Sequence, residues 1–179
     1  VVRDQHMVAV QLASGQDITA DAFVLSTGHS APLLAAQAGI RLPVYPLKGY
    51  SITVDTDGPG LAPRVSITDS ARKLVFARLG ERLRVAGMVE LVGRNTGIPA
   101  DRIDSLRSAT QDLFGDCSRF ADLHPWTGMR PATPTGLPVL GRQPQGPANL
   151  YLNTGHGGLG LTLAAGSAVE VADAITRSV

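Results

Sequence analysis

Between Asn149 and Thr162 the chain reads Asn-Leu-Tyr-Leu-Asn-Thr-Gly-His-Gly-Gly-Leu-Gly-Leu-Thr. An apolar run, a glycine cluster and a long apolar segment predict a buried strand, a tight loop and a helix in immediate succession. Glycines lack a Cβ, so the backbone there can come close to a flat or phosphorylated ligand. The helix that follows aims its free N–H groups and its positive end at the same place. Gly155, Gly157 and Gly160 have the spacing G-x-G-x-x-G. A dinucleotide-binding turn also needs a second strand and an acidic residue about 20 positions on. No second strand follows before Val179, and so no acid placed at its end to bind a ribose. The turn therefore reads as a helix amino end directed at a ligand rather than as a pyrophosphate turn.

The chain has 179 residues, 44% hydrophobic and 17% charged, which favours a buried core over disorder. A net charge of +1 gives no case for nucleic acid or a strongly acidic partner. Cys117 is the single cysteine, so no disulfide or cysteine-based metal site forms within the chain. That fits a reducing compartment and a cytoplasmic location. No apolar run is expected to reach the roughly 18 residues of a membrane span. The chain opens on Val1-Val2-Arg3-Asp4, with no initiator Met and no signal-peptide pattern, and reads as a fragment of a longer protein.

Alternation over 6–13, the Ser14-Gly15 turn and a short run over 16–19 predict a β-hairpin. Residues 20–26 read as a fully buried strand ending at Thr27-Gly28. Ser30 is placed to cap a helix with Pro32 in its first turn and Gly39 as its stop. Strands are expected at 50–54, 65–68, 73–78 and 82–90, forming an antiparallel meander with one wet face. Pro99 to Phe114 is the best amphipathic helix, with Ile103, Leu106, Thr110 and Leu113 on one face. Prolines and glycines crowd 124–141 around Arg130 and predict a rigid, irregular loop. The final helix, from Leu159 to Arg177, is apolar enough to be buried against a sheet.

Asp101 and Asp104 lie on a solvated helix face, and Cys117 has no base near it in sequence, so neither offers acid/base or nucleophilic chemistry. His6, His29 and His124 lack metal-ligand spacing, and no metal site is expected. Trp126 reads as packing. Arg130 offers a permanently charged planar fork suited to a carboxylate, or else a structural tie for its loop.

Five segments, in order, resemble the FAD-dependent amino-acid oxidoreductases of the D-amino-acid oxidase superfamily, nearest to its bacterial dehydrogenase branch. They are Ala20 to Gly28, Pro43 to Ser51, Leu83 to Glu90, Trp126 to Pro131 and Asn153 to Gly157. The resemblance implies an α+β fold, the C-terminal half of a two-domain flavoprotein. An antiparallel-sheet substrate domain (residues 41–128, with the 99–114 helix) would be inserted between two segments (1–40 and 129–179) of an FAD-binding α/β domain. The strand–glycine–helix that grips the FAD pyrophosphate would belong to a missing N-terminal half.

The implied activity is FAD-dependent oxidation of D-amino acids to 2-oxo acids and ammonia, with electrons passed to a quinone or respiratory-chain acceptor. A peripheral position on the inner face of a bacterial membrane is compatible with it. A glycine- or sarcosine-type oxidase and a non-catalytic remnant or binding module are the competing readings. By resemblance, Arg130 pairs with the substrate carboxylate, with Tyr50 and His156 as further substrate contacts. Thr27, Gly28, Gly155, His156, Gly157, Gly158, Leu159, Gly160 and Thr162 would face the cofactor. No residue is assigned as a general base, because hydride transfer from a neutral amine needs none.

Overall fold

A computed structural model describes residues 1–177. The chain is α+β and divides into two compact units, one made of Val1–Pro46 and Arg130–Val179, the other of Leu47–Met129.

The first unit opens with two small antiparallel ribbons. β1 (Val2–Arg3) pairs with β2 (His6–Met7), and β3 (Val10–Gln11) with β4 (Asp17–Ile18). The second is the expected hairpin. The first was not expected, because its turn places Asp4 and Gln5 at positive φ without a glycine. β5 (Phe23–Leu25) follows. It is shorter than expected and not buried on both faces: Phe23 is buried but Val24 is exposed. A 3₁₀ turn at Gly28–Ser30 leads into α1 (Ala31–Gln37), and Ser30 makes no side-chain cap bond. Ala31 and Ala35 of α1 pack with Phe23, Leu150 and Leu152 in this unit's core.

The second unit is an antiparallel meander. β6 (Tyr45–Asp55) starts at the boundary of the units, followed by β7 (Ile67–Asp69), β8 (Leu74–Leu79) and β9 (Arg82–Glu90). After α2 (Ala100–Phe114) comes β10 (His124–Ala132). The strand order is β10-β6-β9-β8-β7. Alternation sends Tyr50, Ile52, Val54, Leu83 and Val85 to one face, where Leu106 and Ala109 of α2 join them. Leu113 is exposed, contrary to the expected stripe, and Phe114 turns inward to meet Phe76 edge-on at 5.1 Å.

The expected irregular loop around Arg130 is a regular strand. β10 contains Pro125 and Pro131 but lies at the edge of its sheet, where a missing N–H breaks no inner ladder. Beyond it, β11 (Val139–Arg142) and β12 (Leu150–Thr154) return the chain to the first unit, where β12 pairs antiparallel with β11 and parallel with β5. A 3₁₀ turn at Gly157–Leu159 then starts α3 (Gly160–Thr176).

α3 packs along β11 and β12, yet only Ser167 and Val171 are buried; Leu161 is 95% exposed. The expected burial of this helix is therefore confined to one narrow stripe. Gly157–Thr176 is also long and apolar enough, by length and composition, to cross a membrane, which the sequence reading did not anticipate. Glu170 and Asp173 lie within it, and Val171 is buried.

Asn149 joins the parts of the first unit. Its Oδ1 accepts from the Met7 N–H at 2.8 Å, and its Nδ2 donates to the carbonyls of Met7 at 2.8 Å and Asp21 at 3.1 Å. Asn149→Ala removes all three bonds and is expected to lower unfolding stability by about 2–3 kcal/mol. Urea unfolding would measure this; a loss within about 0.5 kcal/mol, the usual range for a plain surface change, would show that solvent replaces the amide.

Candidate ligand site at paired strand ends

Parallel pairing aligns Leu150 with Phe23 and Leu152 with Leu25, so β5 and β12 end side by side. Each is followed by a glycine turn and a helix. The buried Thr154 hydroxyl donates to the Gly28 carbonyl at 3.1 Å and ties the two joints together. Gly28, Gly155 and Gly157 all have positive φ, +55°, +84° and +57°. Only Gly155 is also sterically confined: a Cβ there would lie 2.7 Å from Thr133 Cγ2. Gly157 faces open space instead, with nothing within 4 Å of where a Cβ would project.

β10 delivers Arg130 to the same place. Ala132 forms an antiparallel bridge with His156, which draws the end of β10 against the glycine turn. A Cβ on Gly158 would lie 3.8 Å from Arg130 Cδ and 3.9 Å from its Nε, so the arginine side chain runs beside that glycine. Pro131 approaches Gly28 in the same way, with 3.9 Å between its Cγ and a Cβ built there. Neither the 3₁₀ turn nor α3 has a side-chain N-cap bond. The first-turn N–H groups of a 17-residue helix thus face the open turn without a side-chain acceptor. An arginine beside a positive helix end concentrates positive potential at one point, which is what an anion or an electron-rich ring requires.

Of the residues expected at the site, Thr27, Gly28, Arg130 and the 155–160 turn come together. Thr162 lies in the first turn of α3, whereas Leu159 is exposed. Tyr50 belongs to the other unit, and its ring is part of that unit's core. Its hydroxyl donates to Glu90, and Arg102 Nε donates to the other oxygen of Glu90 at 2.6 Å. Lys48 is buried with its ammonium 5.0 Å from the centre of the Tyr50 ring, and it donates to the Gly97 carbonyl. Sequence reasoning missed this network, because Glu90 and Arg102 carry no local pattern that predicts partnership with a tyrosine 40 residues before Glu90. Cys117 is fully buried in the same core, and burial raises its pKa, which leaves it inert.

Burial first, and the Glu90 bond second, push the Tyr50 pKa up to about 12. The Tyr50 bond, then the Arg102 bond, hold the Glu90 carboxyl below the usual range. A phenol whose pKa is raised in the folded state keeps its proton after the unfolded chain has lost it. Its stabilising contribution is complete below about pH 10 and is lost as pH rises toward 12. Urea unfolding should therefore show a decline in stability across that window that Tyr50→Phe lacks. Equal slopes in both proteins would place the Tyr50 ionisation near that of an ordinary phenol.

Residues 1–174 match the family of FAD dependent oxidoreductases. The chain belongs to that family. It is 46% identical over 175 residues to a D-amino acid dehydrogenase of Rhizorhabdus wittichii, covering 98% of this chain and 42% of that protein. It is 49% identical over 164 residues to D-amino acid dehydrogenase 2 of Pseudomonas aeruginosa, covering 91% of this chain and 38% of that one. The chain thus spans about two fifths of the length of these relatives. Glycine oxidase from Geobacillus kaustophilus superposes with a TM-score of 0.84 at 26% identity, over 94% of this chain and 45% of its own. L-proline dehydrogenase from P. horikoshii, at 0.78 and 17% identity over 99% of this chain and 48% of its own, shares the fold.

Proposed function

We propose that this chain supplies the substrate-carboxylate site and the ring-facing turn of an FAD-dependent D-amino acid dehydrogenase. The observation that carries the reading is the approach of Arg130 to the glycine turn at the uncapped amino end of α3. The turn fits a flavin: Gly157 leaves the backbone open, and no side chain caps the amino end of the helix. Thr27, Gly28, Gly155 to Gly160 and Thr162 would hold the cofactor. When bound, the flavin supplies the hydride acceptor for the substrate α-carbon.

The chain's own residues bind and orient. Arg130 takes the substrate carboxylate through its guanidinium fork, which fixes the amino acid by one end. Backbone N–H groups of the 155–160 turn and the helix dipole favour negative charge at their own end of the site. The imino acid product hydrolyses in water to a 2-oxo acid and ammonia. The buried Tyr50, with its hydroxyl donated to Glu90, ties β6 to β9 and, through Arg102, to α2.

The partner in this reading is an N-terminal FAD-gripping half. Among the described residues no strand pairs with the outer edge of β5, and that edge suits such a neighbour. The likeness to a glycine oxidase supports a second reading in which oxygen takes the electrons. One assay tests both: the full-length protein, purified with FAD, is mixed with D-amino acids and a quinone-like dye. Dye reduction specific to D-amino acids without hydrogen peroxide supports the dehydrogenase. Peroxide formed with glycine or sarcosine supports the oxidase, and no bound FAD overturns both.

A further inference from the structure

His156 heads the 3₁₀ turn at the ligand site, and its Nε2 lies 2.8 Å from Ser167 Oγ in α3. That same Oγ lies 2.8 Å from the Leu163 carbonyl. A serine hydroxyl has one hydrogen, and a carbonyl can only accept. The hydrogen of Ser167 therefore goes to Leu163, and Ser167 turns a lone pair toward His156. The second bond exists only if Nε2 carries a proton. The two distances together place a proton on Nε2.

We infer that His156 and Ser167 form a staple that holds the glycine turn on α3, and that Ser167 is a positioning residue for the ligand site. The turn needs one. Glycines at 155, 157, 158 and 160 give up more backbone freedom on ordering than other residues would. No side-chain cap restrains either the 3₁₀ turn or α3. Ser167 is itself buried, so its hydroxyl is held in place by packing as well as by Leu163. With Nε2 committed to Ser167, only Nδ1 of the His156 ring remains for another partner.

The identity of the ligand rests on the flavin reading; the staple does not. Nitrogen NMR of the His156 ring in the full-length protein is paired with FAD titration followed by flavin fluorescence. The wild-type ring is expected to carry a slowly exchanging proton on Nε2. Ser167→Ala is expected to lose that protection and to weaken FAD binding about five- to tenfold, the loss of one hydrogen bond. Ser167→Thr keeps the hydroxyl and is expected to bind within about twofold of wild type, well under one hydrogen bond's worth. A wild-type ring with no proton on Nε2 overturns the staple. Ser167→Ala with unchanged FAD affinity, or Ser167→Thr as weak as Ser167→Ala, overturns the positioning role. A wild-type protein with the Nε2–H ring that takes up no FAD overturns the flavin reading and leaves the staple standing.

Discussion

Arg130→Ala in the active, flavin-loaded protein is expected to raise KM for the amino acid and to lower kcat/KM by about 10²–10³-fold. Truncating one partner of a desolvated, hydrogen-bonded charge pair costs about 2–5 kcal/mol, much of it because the remaining charge is left without a partner. Arg130→Lys keeps the charge but not the planar fork, so it is expected to recover only part of the loss. Substrate analogues test the role further. An amine lacking the carboxylate should be oxidised equally poorly by wild type and Arg130→Ala. Steady-state kinetics read all three, and an unchanged KM in Arg130→Ala would make the arginine a structural tie between β10 and the Gly158 turn.

Gly155→Ala is expected to be the most damaging small substitution in the ligand-site turn, at about 2–3 kcal/mol of stability. Two costs add. Gly155 has φ +84°, which disfavours any residue with a Cβ, and the new methyl would lie 2.7 Å from Thr133 Cγ2. The costs can be separated. Thr133→Ser removes Cγ2 and keeps the hydroxyl that donates to the Leu137 carbonyl at 2.7 Å. The double variant should recover the steric part and retain about 1 kcal/mol of backbone strain. Gly157→Ala pays the backbone term alone, since open space surrounds it. Thermal unfolding of the set would check this order; a Gly155→Ala no worse than Gly157→Ala would show that Thr133 moves aside at little cost.

Local patterns carried much of the fold. The alternating run at 82–90 is β9 with those same bounds, and the 3.6-residue period over 99–114 is α2, which starts at Ala100. Both signals live within one window of sequence, where side-chain period and propensity suffice. The strand bearing Arg130 was hidden for the opposite reason. Its prolines and glycines are loop residues by propensity, and only its edge position makes them tolerable as strand. Leu113 and Leu161 sit on the polar side of the outcome because a period gives a face, not what covers it.

The glycine turn after β12 was legible in the sequence alone, because strand, turn and helix follow one another within a dozen residues and each has its own local chemistry. Its neighbours were not. Thr154 reaches Gly28 across 126 positions, and Asn149 reaches Met7 across 142. Arg130 meets Gly158, and His156 meets Ser167, through a bridge and a helix turn that no spacing announces. Sequence determined that a helix would begin at an open glycine turn. Tertiary pairing of β5 with β12 decided what stands around it, because hydrogen-bond partners across a sheet are chosen by burial and register of whole strands and not by any residue's local preference.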